Sequence, residues 1–67
     1  MTILRIRFYR EKKGWSQADL AAAIGVSEAE IKAYEGGFES PKVDKVIAIA
    51  DALGVTPYDL AKGAETR

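Results

Sequence analysis

At 67 residues the chain has room for one domain, and a chain this short buries only roughly 60% of the surface it exposes when unfolded. It contains no cysteine and no histidine, which excludes disulfides, thiolate metal sites and the commonest general base. Ten basic and ten acidic residues cancel to a net charge of zero, so any electrostatic partner must be found by the distribution of charge and not by its sum.

The first helix is predicted over 3–13, ended by Gly14, with Ile6, Tyr9 and Lys13 on its inner face. Leu4 and Phe8 stand one turn apart on the opposite face, an apolar pair that points to a contact surface. The run Leu4-Arg5-Ile6-Arg7-Phe8 also alternates apolar and charged, which is a strand signal; the terminating glycine favours the helix. A second helix is predicted over 17–24. Ser16 caps it, Asp19 stands at the capping-box offset, and Gly25 sits where a residue tolerant of positive φ is needed. A third follows over 28–35 with Ser27 as cap and Glu30 at the same offset. Gly36-Gly37-Phe38-Glu39-Ser40-Pro41 reads as a loop.

A fourth helix is expected over 43–53. Val43, Val46, Ala50 and Leu53 give it an apolar stripe, widened by Ile47 and Ile49, and Gly54 ends it. A short fifth helix, 57–62, opens with Thr56 as cap, Pro57 at its first position and Asp59 closing the box, and stops before Gly63. Residues 64–67 read as a frayed tail. The expected fold is all-α: a compact five-helix domain, 1–67, whose core is Ile6, Leu20, Ile24, Ile31, Val46, Ala50, Leu53 and Leu60.

No signal peptide is visible and no apolar run approaches the ~20 residues of a membrane span, so a cytoplasmic protein with no membrane partner is expected. An enzyme is not expected. Histidine and cysteine are absent, no carboxylates cluster and no glycine-rich phosphate loop occurs, so no cofactor, metal or small-molecule substrate is implied. Charge is unevenly spread. Residues 1–13 carry Arg5, Arg7, Arg10, Lys12 and Lys13 against Glu11 alone, whereas 27–42 carry Lys32 and Lys42 against Glu28, Glu30, Glu35 and Glu39.

Two capped helices across a tight glycine turn make a helix-turn-helix, whose second helix can enter a DNA major groove. The string Gly14-Trp15-Ser16-Gln17, Leu20-Ala21, Gly25-Val26-Ser27, Ile31 and Tyr34-Glu35-Gly36, continued by Pro41, Leu53-Gly54-Val55 and Asp59-Leu60, closely resembles the phage-repressor and Cro-like (XRE-type) helix-turn-helix family. The resemblance runs over roughly residues 5–61. It implies the lambda-repressor-like fold and a DNA-binding transcriptional regulator, with repression the leading expectation, acting as a homodimer on double-stranded DNA. It places the base-reading positions at Ser27, Glu28, Ala29, Lys32 and Ala33, gives Gln17 a phosphate to bond, and pairs Arg10 with Glu35.

Lys32 can donate to guanine or to phosphate, Glu28 can accept from cytosine, and Ala29 and Ala33 can pack on a thymine methyl. The family usually has basic residues just after this helix, whereas here Lys42 is the first cation. A second class of function therefore stands beside the first: a protein-interaction module that keeps the fold and binds DNA weakly or not at all. Leu4, Phe8 and Phe38 are its candidate contacts, with Val55 and Tyr58 at the helix 4–5 end where dimers of this fold more often meet.

Overall fold

The computed structural model describes residues 2–62 and 65–66. Five helices occur in the order α1 (Ile6–Lys12), α2 (Gln17–Ile24), α3 (Glu28–Gly36), α4 (Val43–Leu53) and α5 (Pro57–Ala61). A two-residue strand at each end, β1 (Thr2–Ile3) and β2 (Glu65–Thr66), pairs antiparallel with Thr2 opposite Thr66 and Ile3 opposite Glu65.

The helix starts follow the local chemistry. Ser16 Oγ accepts from the Asp19 amide while the Asp19 carboxylate accepts from the Ser16 amide, a reciprocal box that satisfies two orphan donors. Thr56 and Asp59 repeat it at α5, behind Pro57. At α3 only half of the box forms: Ser27 Oγ accepts from the Glu30 amide, but the Glu30 carboxylate accepts from the Tyr34 hydroxyl one turn on. Gly25 closes α2 at φ 74°, a left-handed conformation that costs a side-chain-bearing residue energy.

One large side chain from each helix is fully buried: Ile6, Leu20, Ile31, Ile49 and Leu60. Ala21, Tyr34, Ala50 and Leu53 complete the core. The expected core members Ile24 and Val46 pack against its edge, half-buried. On α4 the buried stripe is Ile49, Ala50 and Leu53. Val43, expected inside, is 76% exposed and Ile47 is also exposed. Val43 lies two turns before the buried Ala50 on nearly the same face, so its exposure goes with its place in the first turn and not with the phase of the helix.

The first helix differs from its predicted span. It begins at Ile6, not Ile3, because the segment before it is extended and tied to α5: the Arg5 amide donates to the Leu60 carbonyl at 2.9 Å. Leu4 consequently does not lie on an outer helical face beside Phe8. It precedes the helix and packs, half-buried, against the core. Lys13, expected on the inner face, is exposed, its ammonium 5.0 Å from the Trp15 ring, and Arg10 takes the buried position. Within the tail, Glu65–Thr66 is paired rather than frayed; Gly63, Ala64 and Arg67 lie outside the described residues.

Leu20 of α2 is one of the five fully buried large side chains, so truncating it leaves a cavity in the core. Leu20→Ala is expected to cost about 2–5 kcal/mol. Chemical denaturation followed by circular dichroism checks it, and a variant as stable as the parent would contradict the packing described.

Candidate functional site

Consecutive residues on a helix step by about 100°, so Ile31, Tyr34 and Glu35 of α3 face inward together. That phase leaves Glu28, Ala29 and Lys32 exposed on the outer face, with Ser27 exposed at its start and Ala33 half-buried at its edge. Lys32 Nζ stands 3.9 Å from Glu28 Oε2, an i, i+4 pair between two exposed side chains. Such pairs contribute little to stability, but they place an anion beside the one cation of this face. Glu28 and Glu30 also lie in the first turn of α3, where the helix dipole favours negative charge.

Behind the face sits a buried polar cluster. Glu35 Oε2 accepts from Arg10 Nε at 2.6 Å, and Oε1 accepts from Arg10 Nη2 at 3.0 Å, a two-pronged ion pair between α1 and α3. The third nitrogen, Arg10 Nη1, donates to the Trp15 carbonyl at 2.7 Å and so ties down the turn between α1 and α2. Gln17 Nε2 donates to Glu35 Oε1 at 3.0 Å. Arg7 Nε approaches the same oxygen at 3.5 Å.

Burial alone would raise the Glu35 pKa. The hydrogen bonds from Arg10 and Gln17, with the charges of Arg10 and Arg7, outweigh it and hold the carboxyl below its ordinary value. The hydrogen bond to Glu35 likewise raises the pKa of Arg10 against its own desolvation.

The residues singled out from sequence thus fall into two sets. Arg10 and Glu35 form the expected ion pair, and Gln17 joins them: its amide is committed to Glu35, an internal role that its place at the start of α2 does not disclose. Arg7 and the Trp15 carbonyl were not anticipated, although Arg7 lies one turn before Arg10 on the same helix. Ser27, Glu28, Ala29, Lys32 and Ala33 form the outer face of α3.

The expected partner contacts are dispersed. Arg5 stacks its guanidinium 4.2 Å from the centre of the Phe8 ring, with Lys12 at 5.7 Å and Tyr9 edge-on, so Phe8 lies between the cationic side chains of Arg5 and Lys12 while remaining partly exposed. Phe38 is exposed, and its ring lies over Gly36, where a Cβ would come within 2.8 Å of it. Tyr58 is exposed and Val55 half-buried. Among the described residues no helix is long and apolar enough to cross a membrane.

A helix-turn-helix family profile matches residues 6–60. An uncharacterised HTH-type transcriptional regulator of Mycobacterium tuberculosis is 42% identical over 52 residues, covering 78% of this chain and 20% of the regulator. The cryptic phage CTXphi transcriptional repressor RstR of Vibrio cholerae is 36% identical over 62 residues, covering 92% of this chain and 56% of the repressor. The P22 c2 repressor, solved with a synthetic operator, is similar in structure with a TM-score of 0.82 at 36% identity, covering 88% of this chain and 89% of that one. The chain spans between one fifth and just over half of the two sequence relatives' length.

The buried ion pair sets two expectations. Removing either partner strands a charge, so Arg10→Ala or Glu35→Ala should cost about 3–5 kcal/mol, and the double variant should cost less than the two together. Because folding lowers the Glu35 pKa, its contribution is complete above the unfolded value near 4.5 and is lost as pH falls through the folded value. Denaturation midpoints across the acid range should therefore fall more steeply for the parent than for Glu35→Gln; parallel curves would contradict this.

Proposed function

The chain belongs to the helix-turn-helix family, and on that premise we propose that it is a DNA-binding transcriptional regulator that presents α3 to the major groove of double-stranded DNA. The observation that carries the reading is the outer face of α3. Ser27, Glu28, Ala29 and Lys32 lie exposed together on a helix that α1 and α2 hold through the Glu35 carboxylate. A reading helix must be rigidly aimed, and a face free of internal packing is what a groove can receive.

In this reading Lys32 is the principal donor to base edges or phosphate, Glu28 accepts from a cytosine amino group, and Ala29 and Ala33 pack against thymine methyls. Ser27 donates to the backbone near the start of the helix. Gln17 supplies a phosphate contact with the N–H that Glu35 leaves free, since its amide nitrogen carries two. Repression is the favoured outcome, in keeping with the two phage repressors it resembles. A homodimer suits a near-palindromic operator, with exposed Tyr58 and half-buried Val55 at the α4–α5 end as its contact. In this reading the protein acts on DNA without catalysis, in the cytoplasm.

The acidic character of the face shapes the expected behaviour. Few cations reach the backbone, so the slope of log K against log salt on a random-sequence duplex should be shallow, on the order of −2 to −4. Lys32→Ala should weaken binding and relax preference at one base pair. Gln17→Ala should weaken binding about equally on all sequences. Glu28→Gln removes the anion 3.9 Å from Lys32 and should tighten binding to random duplex. Fluorescence anisotropy titrations of the three variants check these outcomes. If Lys32→Ala leaves both affinity and preference unchanged, α3 is not the reader.

A further inference from the structure

Arg7 and Gln17 come from different helices, yet both approach one oxygen, Glu35 Oε1, at 3.5 and 3.0 Å. The Glu35 carboxylate is already matched in charge by the two-pronged contact with Arg10. Arg7 therefore brings a surplus positive charge to the cluster. It is also the open member: its side chain is 67% exposed, against 8% for Arg10 and 1% for Glu35. A separation of 3.5 Å is within ion-pair reach but longer than an ordinary N–H···O bond, so the guanidinium is oriented by Glu35 without being consumed by it. The result is a cation held beside an amide donor at the start of α2. Meanwhile residues 37–41, immediately after α3, contain Glu39 and no cation.

We infer that Arg7 is a DNA-backbone contact, a guanidinium aimed by Glu35 to share a phosphodiester with Gln17, so that α1 supplies the grip that the segment after α3 lacks. This inference rests on the DNA-binding reading above and adds a residue to it. The ligand chemistry is a phosphate oxyanion, to which an arginine fork is well matched. The geometry also gives Glu35 a positioning role: one carboxylate fixes the approach of both donors, from α1 and from α2, relative to α3.

The test uses anisotropy titrations of the whole chain against a random-sequence duplex over a series of salt concentrations. Arg7→Gln should reduce the magnitude of the salt slope by about 0.9, so that its deficit against the parent grows about eightfold for each tenfold fall in salt. Arg7→Lys should keep the parent slope. Lys12→Gln removes the same charge from the same helix about 140° away, and should also keep it. The melting temperature of Arg7→Gln should stay close to the parent's, because the side chain is mostly solvated and so exposed an ion pair contributes little.

A parent slope in Arg7→Gln overturns the inference, and so does an equal loss in Lys12→Gln, which would indicate only a general charge effect. A lowered slope accompanied by a lowered melting temperature overturns it too, in favour of a structural role. If the parent itself fails to bind duplex, the DNA-binding reading fails and Arg7 with it. If the parent binds and Arg7→Gln keeps its slope, only the assignment of Arg7 falls.

Discussion

The carboxylate of Glu35, at the end of α3, is shared by side chains from α1 and α2: Arg10 and Gln17 donate to it and Arg7 lies within ion-pair reach. A charge buried this deeply is stable only when its partners are complete and well aligned, and here they are. No buried side-chain nitrogen or oxygen among the described residues lacks a partner. The cost of breaking such a cluster makes it a locking device. The cluster disfavours any slip of α1 or α2 against α3, since a slip would leave a buried charge short of its hydrogen bonds.

The apolar core alone would hold the helices less specifically. One large side chain from each helix fills its centre, and apolar packing tolerates small shifts at modest energy. The polar cluster adds direction to that adhesion. Its position is also functional, since it lies behind the exposed face of α3 and at the start of α2. The residues that fix the fold thus aim the residues offered to a partner. The outer face itself is lightly equipped, with one lysine facing a glutamate and two alanines, so placement does more than charge in any recognition it achieves.

Much of this was legible in the sequence because it is local. Ser16 with Asp19, Thr56 with Asp59 and the glycine after α2 are signals within one turn, and α2 begins and ends, and α5 begins, where those signals place them. Arg10 and Glu35 were paired through the family resemblance, not through any local rule. What escaped was non-local. The alternating run from Leu4 to Phe8 carries both strand and helix character, and its division at Arg5 depends on the Leu60 carbonyl, which is 55 positions away. Leu4 moved from an outer face to the core edge for that reason alone. Val43 and Ile49 share one apolar stripe in sequence, and only the packing of the other helices decides which is buried. Gln17 and Arg7 show the same limit: side-chain reach to a distant carboxylate leaves no periodicity to read.

The claim that α3 faces DNA is tested most directly by nuclear magnetic resonance, following the backbone amides and the arginine side-chain Nε–H groups of isotope-labelled protein as a duplex is added. The expected perturbations concentrate at residues 27–33 of α3 and at Ser16, Gln17 and the Arg7 side chain, while the exposed surface around Phe8 and Lys12 on α1 stays unshifted. Perturbations confined to that α1 surface or to the α4–α5 end, with α3 silent, would contradict it.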